Sequence, residues 1–127
     1  TIAVSGIAGI SLLVGSMGIL TIMWISVHER TGEIGLLRAL GVSSSAVQRL
    51  FLFESVLLAL SGGALGLVGG FGIGAVIRIV IPGIPLSTPF GAVVAALLMS
   101  LVVGVISGVA PARRAAGLDP IEALRAE

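Results

Sequence analysis

The stretch "IAVSGIAGISLLVGSMGILTIMWISV", residues 2–27, runs without a formal charge. As an α-helix it would be about 39 Å long at 1.5 Å per residue, more than the ~30 Å hydrocarbon core of a bilayer. A charge-free run of this length fits neither a buried strand nor a soluble core helix. Two further apolar runs follow, at about residues 56–77 and 90–110. Each approaches the ~20 residues a membrane-spanning helix needs. The reading is an all-α membrane protein with three transmembrane helices. Residues 28–55 form a cytoplasmic segment containing a helix, and residues 111–127 form a cytoplasmic tail with a short helix.

Composition agrees. Of 127 residues, 57% are hydrophobic and 10% charged, and the mean hydropathy is +1.23. A water-soluble domain carries roughly 25% charged residues. Many of the glycines lie inside the apolar runs, where membrane helices tolerate them. The net charge of +1 gives no field for nucleic acid. The absence of cysteine removes disulfides, thiolate metal sites and cysteine nucleophiles, and one histidine cannot build a multi-histidine metal site. No catalytic, cofactor or metal constellation is found, so the chain is not expected to be an enzyme by itself. The apolar runs hold no Asp, Glu, Lys, Arg or His at mid-membrane, which argues against an ion-coupled transporter.

Arginines set the orientation. The first connection carries Arg30, Arg38 and Arg49, the second only Arg78, and the tail Arg113, Arg114 and Arg125. The first connection and the tail are therefore expected in the cytoplasm, with Thr1 outside. An outside start without a basic leader implies an earlier span, so the chain reads as a piece of a longer polypeptide. The outer connection, "RIVIPGIPLSTP", with Pro82, Gly83, Pro85 and Pro89, reads as a short turn. Arg78 at its edge reads as a side chain snorkelling to the headgroups.

The second run carries Gly62, Gly66, Gly70 and Gly74 four residues apart, and the third Ser100, Gly104 and Gly108. Small residues at this spacing allow close backbone approach where lipid gives helices no hydrophobic reason to associate. The spacing predicts a tight helix contact and leaves open whether the partner lies in this chain. A pair of bundles is preferred.

The cytoplasmic segment opens with "VHERTGEIGLLRALG", residues 27–41, which concentrates charge on a helical pattern. Gly41 is placed to stop a helix from about Arg30 to Leu40. Ser45 and Gln48 have the spacing of a capping box for the next helix. On a helical wheel Ile34, Leu36, Leu37 and Leu40 form an apolar arc that contains Glu33, with Arg30 as its nearest intrahelical partner. Gly32, Gly35 and Ala39 form a small-residue face. Two glycines cost a solvated helix on the order of 1 kcal/mol each, so another backbone is expected to come close. The helix lies either in the headgroups or against a cytoplasmic partner. In the tail, Pro111 sits at the membrane exit, Arg113 and Arg114 at anchor positions. Asp119, Pro120 and Glu122 read as N-cap, N1 proline and N3 acid. This stub either stands alone or packs beside the first cytoplasmic helix.

Three blocks, "ERTGEIGLLRALG" (29–41), "FLFESVLLALSGGALGLVGG" (51–70) and "PARRAAGLDPIEALRAE" (111–127), in this order, resemble the FtsX-like permease domain of MacB-type ABC transporters and related permease subunits. The resemblance covers essentially the whole chain. It implies the last three of four spans, in a bacterial cytoplasmic (inner) membrane, with a large extracytoplasmic domain preceding them. It implies a second permease copy, identical or different, an extracytoplasmic adaptor, and a separate or fused ATPase that holds the ATP and Mg. No cofactor belongs to this chain. Glu29, Arg30, Thr31, Glu33, Ile34, Gly35, Arg38 and Gly41 would form the coupling helix resting on that ATPase. The implied function is mechanotransmission: ATP hydrolysis changes extracytoplasmic conformation, for export or extraction of hydrophobic, peptide or lipid/lipoprotein cargo. The alternative is a non-transporting scaffold regulating an extracytoplasmic partner such as a cell-wall hydrolase.

Overall fold

A computed structural model of the chain describes residues 2–81, 83 and 88–125. The described residues form five helices: α1 (Ile2–Glu29), α2 (Thr31–Ala39), α3 (Ser44–Val80), α4 (Phe90–Ala116) and α5 (Pro120–Arg125). The fold is all-α, as expected, and α1, α3 and α4 are each long and apolar enough to cross a membrane. Expectations placed on Pro82 and Pro85, and on the side chains of Glu122 and Arg125, lie outside the described residues.

The helix α3 has 37 residues. At 1.5 Å each that is about 56 Å, well beyond a ~30 Å hydrocarbon core. Its surplus lies at the Ser44 end, where Arg49 and Glu54 bring charge. The apolar run and the "AVQRLFLFES" segment are therefore one continuous rod. Its N-cap is Ser43, whose hydroxyl accepts from the Ala46 N–H at 3.3 Å. This corrects the Ser45 capping box. Ser44 donates to the Ala116 carbonyl and ties the start of α3 to the end of α4. Three consecutive serines offer three possible caps, and the Ser44 tie to α4 selects among them.

Pro111 is buried inside α4, and the helix continues to Ala116 rather than stopping at residue 110. The ring forfeits one backbone hydrogen bond, which membrane-type helix packing tolerates.

The largest interface joins α3 to α4. It is built from small residues on both sides. An added Cβ at Gly63 would collide with the Ser100 side chain, and one at Gly104 would lie 2.8 Å from the Ala59 Cβ and 3.0 Å from the Val56 Cα. One at Gly108 would collide with the Ser55 hydroxyl. Buried Ser55 donates within hydrogen-bond reach of the Leu52 carbonyl (2.7 Å) and, across the interface, of the Gly104 carbonyl (3.0 Å). The contact face on α3 is thus Ser55, Ala59 and Gly63, antiparallel to Ser100, Gly104 and Gly108. The expected contact on α4 is present. The glycine stripe on α3 is not in tight contact: a Cβ at Gly62, Gly66, Gly70 or Gly74 would meet nothing within 4 Å, and Gly66 and Gly70 line an open gap beside Ala92 and Val93 of α4. The two stripes overlap on the helical wheel, Gly66 lying 11 residues and so about 20° from Ser55, and they differ in how closely α4 approaches along the length of α3.

The buried core sits at one end of the bundle. Met23, Val27, Ile34, Val47, Phe51, Ala112 and Ala115 cluster where the end of α1, α2, the start of α3 and the end of α4 meet. This end carries most of the chain's charges, so water supplies the driving force there. Withdrawing a side chain such as Phe51 from water contributes ~1.5–3 kcal/mol. Toward the opposite end the first residues of α1, from Ile2 to Ile10, are all exposed. The fold therefore anchors its three rods at the charged end.

Candidate functional site: the α2–α5 platform

The charged motif of residues 29–41 forms a short turn and a helix held on the core. Arg30 alone separates α1 from α2, and the hydrogen-bond ladder nearly continues through it: Arg30 N–H to Ser26 O at 3.0 Å, Ile34 N–H to Arg30 O at 2.9 Å. The Thr31 hydroxyl turns back to the carbonyls of Val27 and His28 at 3.0 and 2.9 Å. Arg30 bonds Glu54 of α3 at 3.4 Å rather than Glu33. With 48% and 35% of these side chains exposed, the pair is worth at most about 1 kcal/mol, and it fixes direction more than stability.

The far end of α2 closes in a Schellman motif. Gly41 has φ 95°, the Gly41 N–H bonds the Arg38 carbonyl and the Val42 N–H the Leu37 carbonyl, each at 3.1 Å. The left-handed conformation is what the glycine supplies. Arg38 is half-buried; one terminal nitrogen reaches the Val42 carbonyl at 3.5 Å, and its Nε is buried with no hydrogen-bond partner among the described residues.

The buried side of α2 is narrow. Ile34 and Gly35 are buried. A Cβ on Gly35 would lie 2.6 Å from the Ala123 Cβ and 3.5 Å from the Pro120 carbonyl. The backbone that the glycines were expected to admit is therefore α5, and the tail packs beside α2 as one of the two expectations held. Asp119 caps α5 by accepting from the Ile121 N–H at 2.9 Å, and the Ala123 N–H bonds the Asp119 carbonyl at 2.9 Å. Pro120 opens α5 at its first position. Gly32 lines a neighbouring cleft and Ala39 is exposed, so the three-residue small face divides.

Of the apolar arc, only Ile34 is buried within the chain. Leu36, Leu37 and Leu40 are 53%, 40% and 75% exposed, and Ile121 on α5 is 66% exposed. Glu29 and Glu33 are exposed beside them. Arg113 is exposed, and the Arg114 guanidinium stands 5.1 Å over the Trp24 ring, clamping the end of α4 to α1. The outcome is a platform of α2 braced from beneath by α5, with an open row of leucines rimmed by carboxylates. Among the described residues no group of three or more His, Cys, Asp or Glu could hold a metal ion. The sequence reading missed Ala123, the Arg30–Glu54 pair and the Trp24–Arg114 stack. These join residues far apart in the chain. Only Trp24, an aromatic one turn before the first charges, carried a local signal.

The family model described as "FtsX-like permease C-terminal" matches residues 5–120. The chain is 45% identical over its whole length to the "Macrolide export ATP-binding/permease protein MacB" of Hahella chejuensis, covering 19% of that protein. It is 47% identical, again over its whole length, to the "Uncharacterized ABC transporter permease YknZ" of Bacillus subtilis, covering 32%. It is 47% identical over 95% of its length to MacB 1 of Yersinia pestis bv. Antiqua, covering 19%. It thus spans between a fifth and a third of these bacterial relatives. A full-length match to ABC transporter permeases, on a bundle with three helices able to cross a membrane, makes the chain a member of the FtsX-like permease C-terminal family.

Proposed function

We propose that this chain is the coupling portion of an ABC transporter permease, which converts ATP hydrolysis by a cytoplasmic ATPase into movement of extracytoplasmic structure. The supporting observation is the α2–α5 platform. A short helix with Leu36, Leu37 and Leu40 open, held by its own C-terminal helix and grounded on the buried core, suits force transmission. Load on α2 passes through Ile34 into a cluster that also contains Met23 and Val27 of α1, Phe51 of α3 and Ala112 of α4. All three rods then move together. The platform faces the cytoplasm in this reading, consistent with its arginines. ATP and Mg belong to the ATPase. The cargo is a hydrophobic, peptide or lipid-linked molecule for export or extraction.

Leu40→Glu tests this. A charge at the most exposed leucine of the platform is expected to lower permease-stimulated ATP hydrolysis at least tenfold in the assembled transporter while membrane insertion stays normal. Full stimulation would rule out the leucine row as the docking surface.

The stripe of Gly66, Gly70 and Gly74 supports pairing with a second permease copy, because among the described residues no atom lies within 4 Å of an added Cβ there and close helix approach through it stays open. Gly66→Ile is expected to weaken the pair, read as loss of crosslinking between two permease copies in native membranes. Undiminished crosslinking would place the partner elsewhere.

A further inference from the structure

A cleft of about 460 Å³ opens where α1 turns into α2, between the end of α4 and α5. His28, Glu29, Thr31, Gly32, Arg114 and Leu118 line it. Its lining mixes charged and apolar groups, whereas a larger groove, on α3 beside Ala46 and Leu50, is almost wholly apolar. Its depth relative to the bilayer is marked on the chain. Trp24 precedes it by one turn of α1 and carries the Arg114 guanidinium on its ring. Indole rings and arginines favour the headgroup layer. On one side the cleft thus has a cation and on another the Glu29 carboxylate, and the two form no ion pair with each other. A lone anion would gain from Arg114 and be repelled by Glu29. A lone cation faces the reverse. A zwitterion whose phosphate meets Arg114 and whose ammonium meets Glu29 satisfies both.

We propose that this cleft binds the headgroup of a phosphoethanolamine lipid from the adjoining leaflet, with the phosphate on Arg114 and the primary ammonium on Glu29. The guanidinium presents parallel N–H donors suited to phosphate oxygens. The carboxylate accepts hydrogen bonds from a primary ammonium, which a quaternary choline cannot donate. Because α1, α2, α4 and α5 all border the cleft, an occupied site staples the platform to the ends of two membrane helices. The proposal rests on the membrane-spanning reading and holds whichever leaflet the platform faces.

The test is lipid retention by the complete transporter, purified into nanodiscs of defined composition and measured by native mass spectrometry. With equal phosphatidylethanolamine, phosphatidylcholine and phosphatidylglycerol, wild type is expected to retain phosphatidylethanolamine at least fivefold over the other two. Arg114→Gln should lose this retention and Arg114→Lys keep most of it. Glu29→Gln should invert the preference toward phosphatidylglycerol, because the carboxylate no longer repels a net anion. Free glycerophosphoethanolamine competing as well as the intact lipid would identify a soluble phosphoester site and overturn the lipid assignment. Equal retention of the three lipids by wild type, or an unchanged profile in both Arg114→Gln and Glu29→Gln, would overturn the site. Failure here leaves the coupling reading standing, since retention is read without ATP and coupling is read as stimulated hydrolysis.

Discussion

Gly108→Val is expected to separate α4 from α3 and to be among the most destabilising single changes in the chain. An added Cβ collides with the Ser55 hydroxyl and comes 2.6 Å from the Ser55 Cβ, with the Leu52 side chain at 3.4 Å. Ser55 is fully buried. Its hydroxyl cannot swing away without abandoning the bond to Gly104 that crosses the interface. Overpacking a close-packed contact costs ~1–3 kcal/mol, and an interhelical hydrogen bond in a membrane contributes a further ~0.6 kcal/mol on average. Gly69→Val is the control: a Cβ there meets nothing within 4 Å, so its effect should stay within ~0.5 kcal/mol. Thermal unfolding of the detergent-solubilised transporter measures both. Equal shifts in the two variants would mean that α3 and α4 do not meet through this face.

Gly35→Leu should carry the second large effect, on coupling more than on folding. The Cβ alone would lie 2.6 Å from that of Ala123, and leucine adds three more carbons behind it. Relief comes most cheaply by lifting α5 off α2. A helix of six residues does not survive without its packing partner, so Ile34 would lose its cover and the leucine row its brace. A penalty of ~1–3 kcal/mol laid on the coupling-competent arrangement lowers coupled turnover by ~5–150-fold. The pairwise origin can be isolated. Gly35→Ala should reduce stimulated ATP hydrolysis, and adding Ala123→Gly should restore most of it, since the second change removes the atom that the first one meets. If Gly35→Leu stimulates normally, or the double variant is no better than Gly35→Ala, then α5 does not support α2 in the working transporter.

Much of this architecture could be read along the chain. Charge-free runs mark the three rods because length and polarity alone constrain a bilayer helix. Gly41 and Asp119–Pro120 mark helix ends because each acts on backbone groups within a few residues of itself. What depends on rotation or on distant partners was less legible. The stripe at Gly62, Gly66, Gly70 and Gly74 and the face at Ser55, Ala59 and Gly63 have the same small-residue spacing. Only the approach of Gly104 and Gly108 across the interface tells which positions come into tight contact and which border an open gap. The same holds for α2, where the wheel grouped Ile34 with three leucines. The core accepts Ile34, and Leu36, Leu37 and Leu40 stay open. A wheel shows an arc but cannot show that α5 shares the space beside it. Arg30 turning to Glu54 instead of Glu33 follows from the return of α3, a partner 24 residues away that no local rule weighs.

The central claim is that the open leucine row of α2 is the surface the ATPase touches. This stretch has no cysteine of its own, so a single cysteine placed at Leu40 reports without background from it. A thiol-attached photo-crosslinker at Leu40→Cys in the assembled transporter should join the ATPase, with a yield that changes between nucleotide-free and ATP-bound states. The same probe at Phe90→Cys, at the opposite end of the bundle, should give none. A Leu40 probe that captures only lipid in both states, or a Phe90 probe that captures the ATPase, would contradict the account.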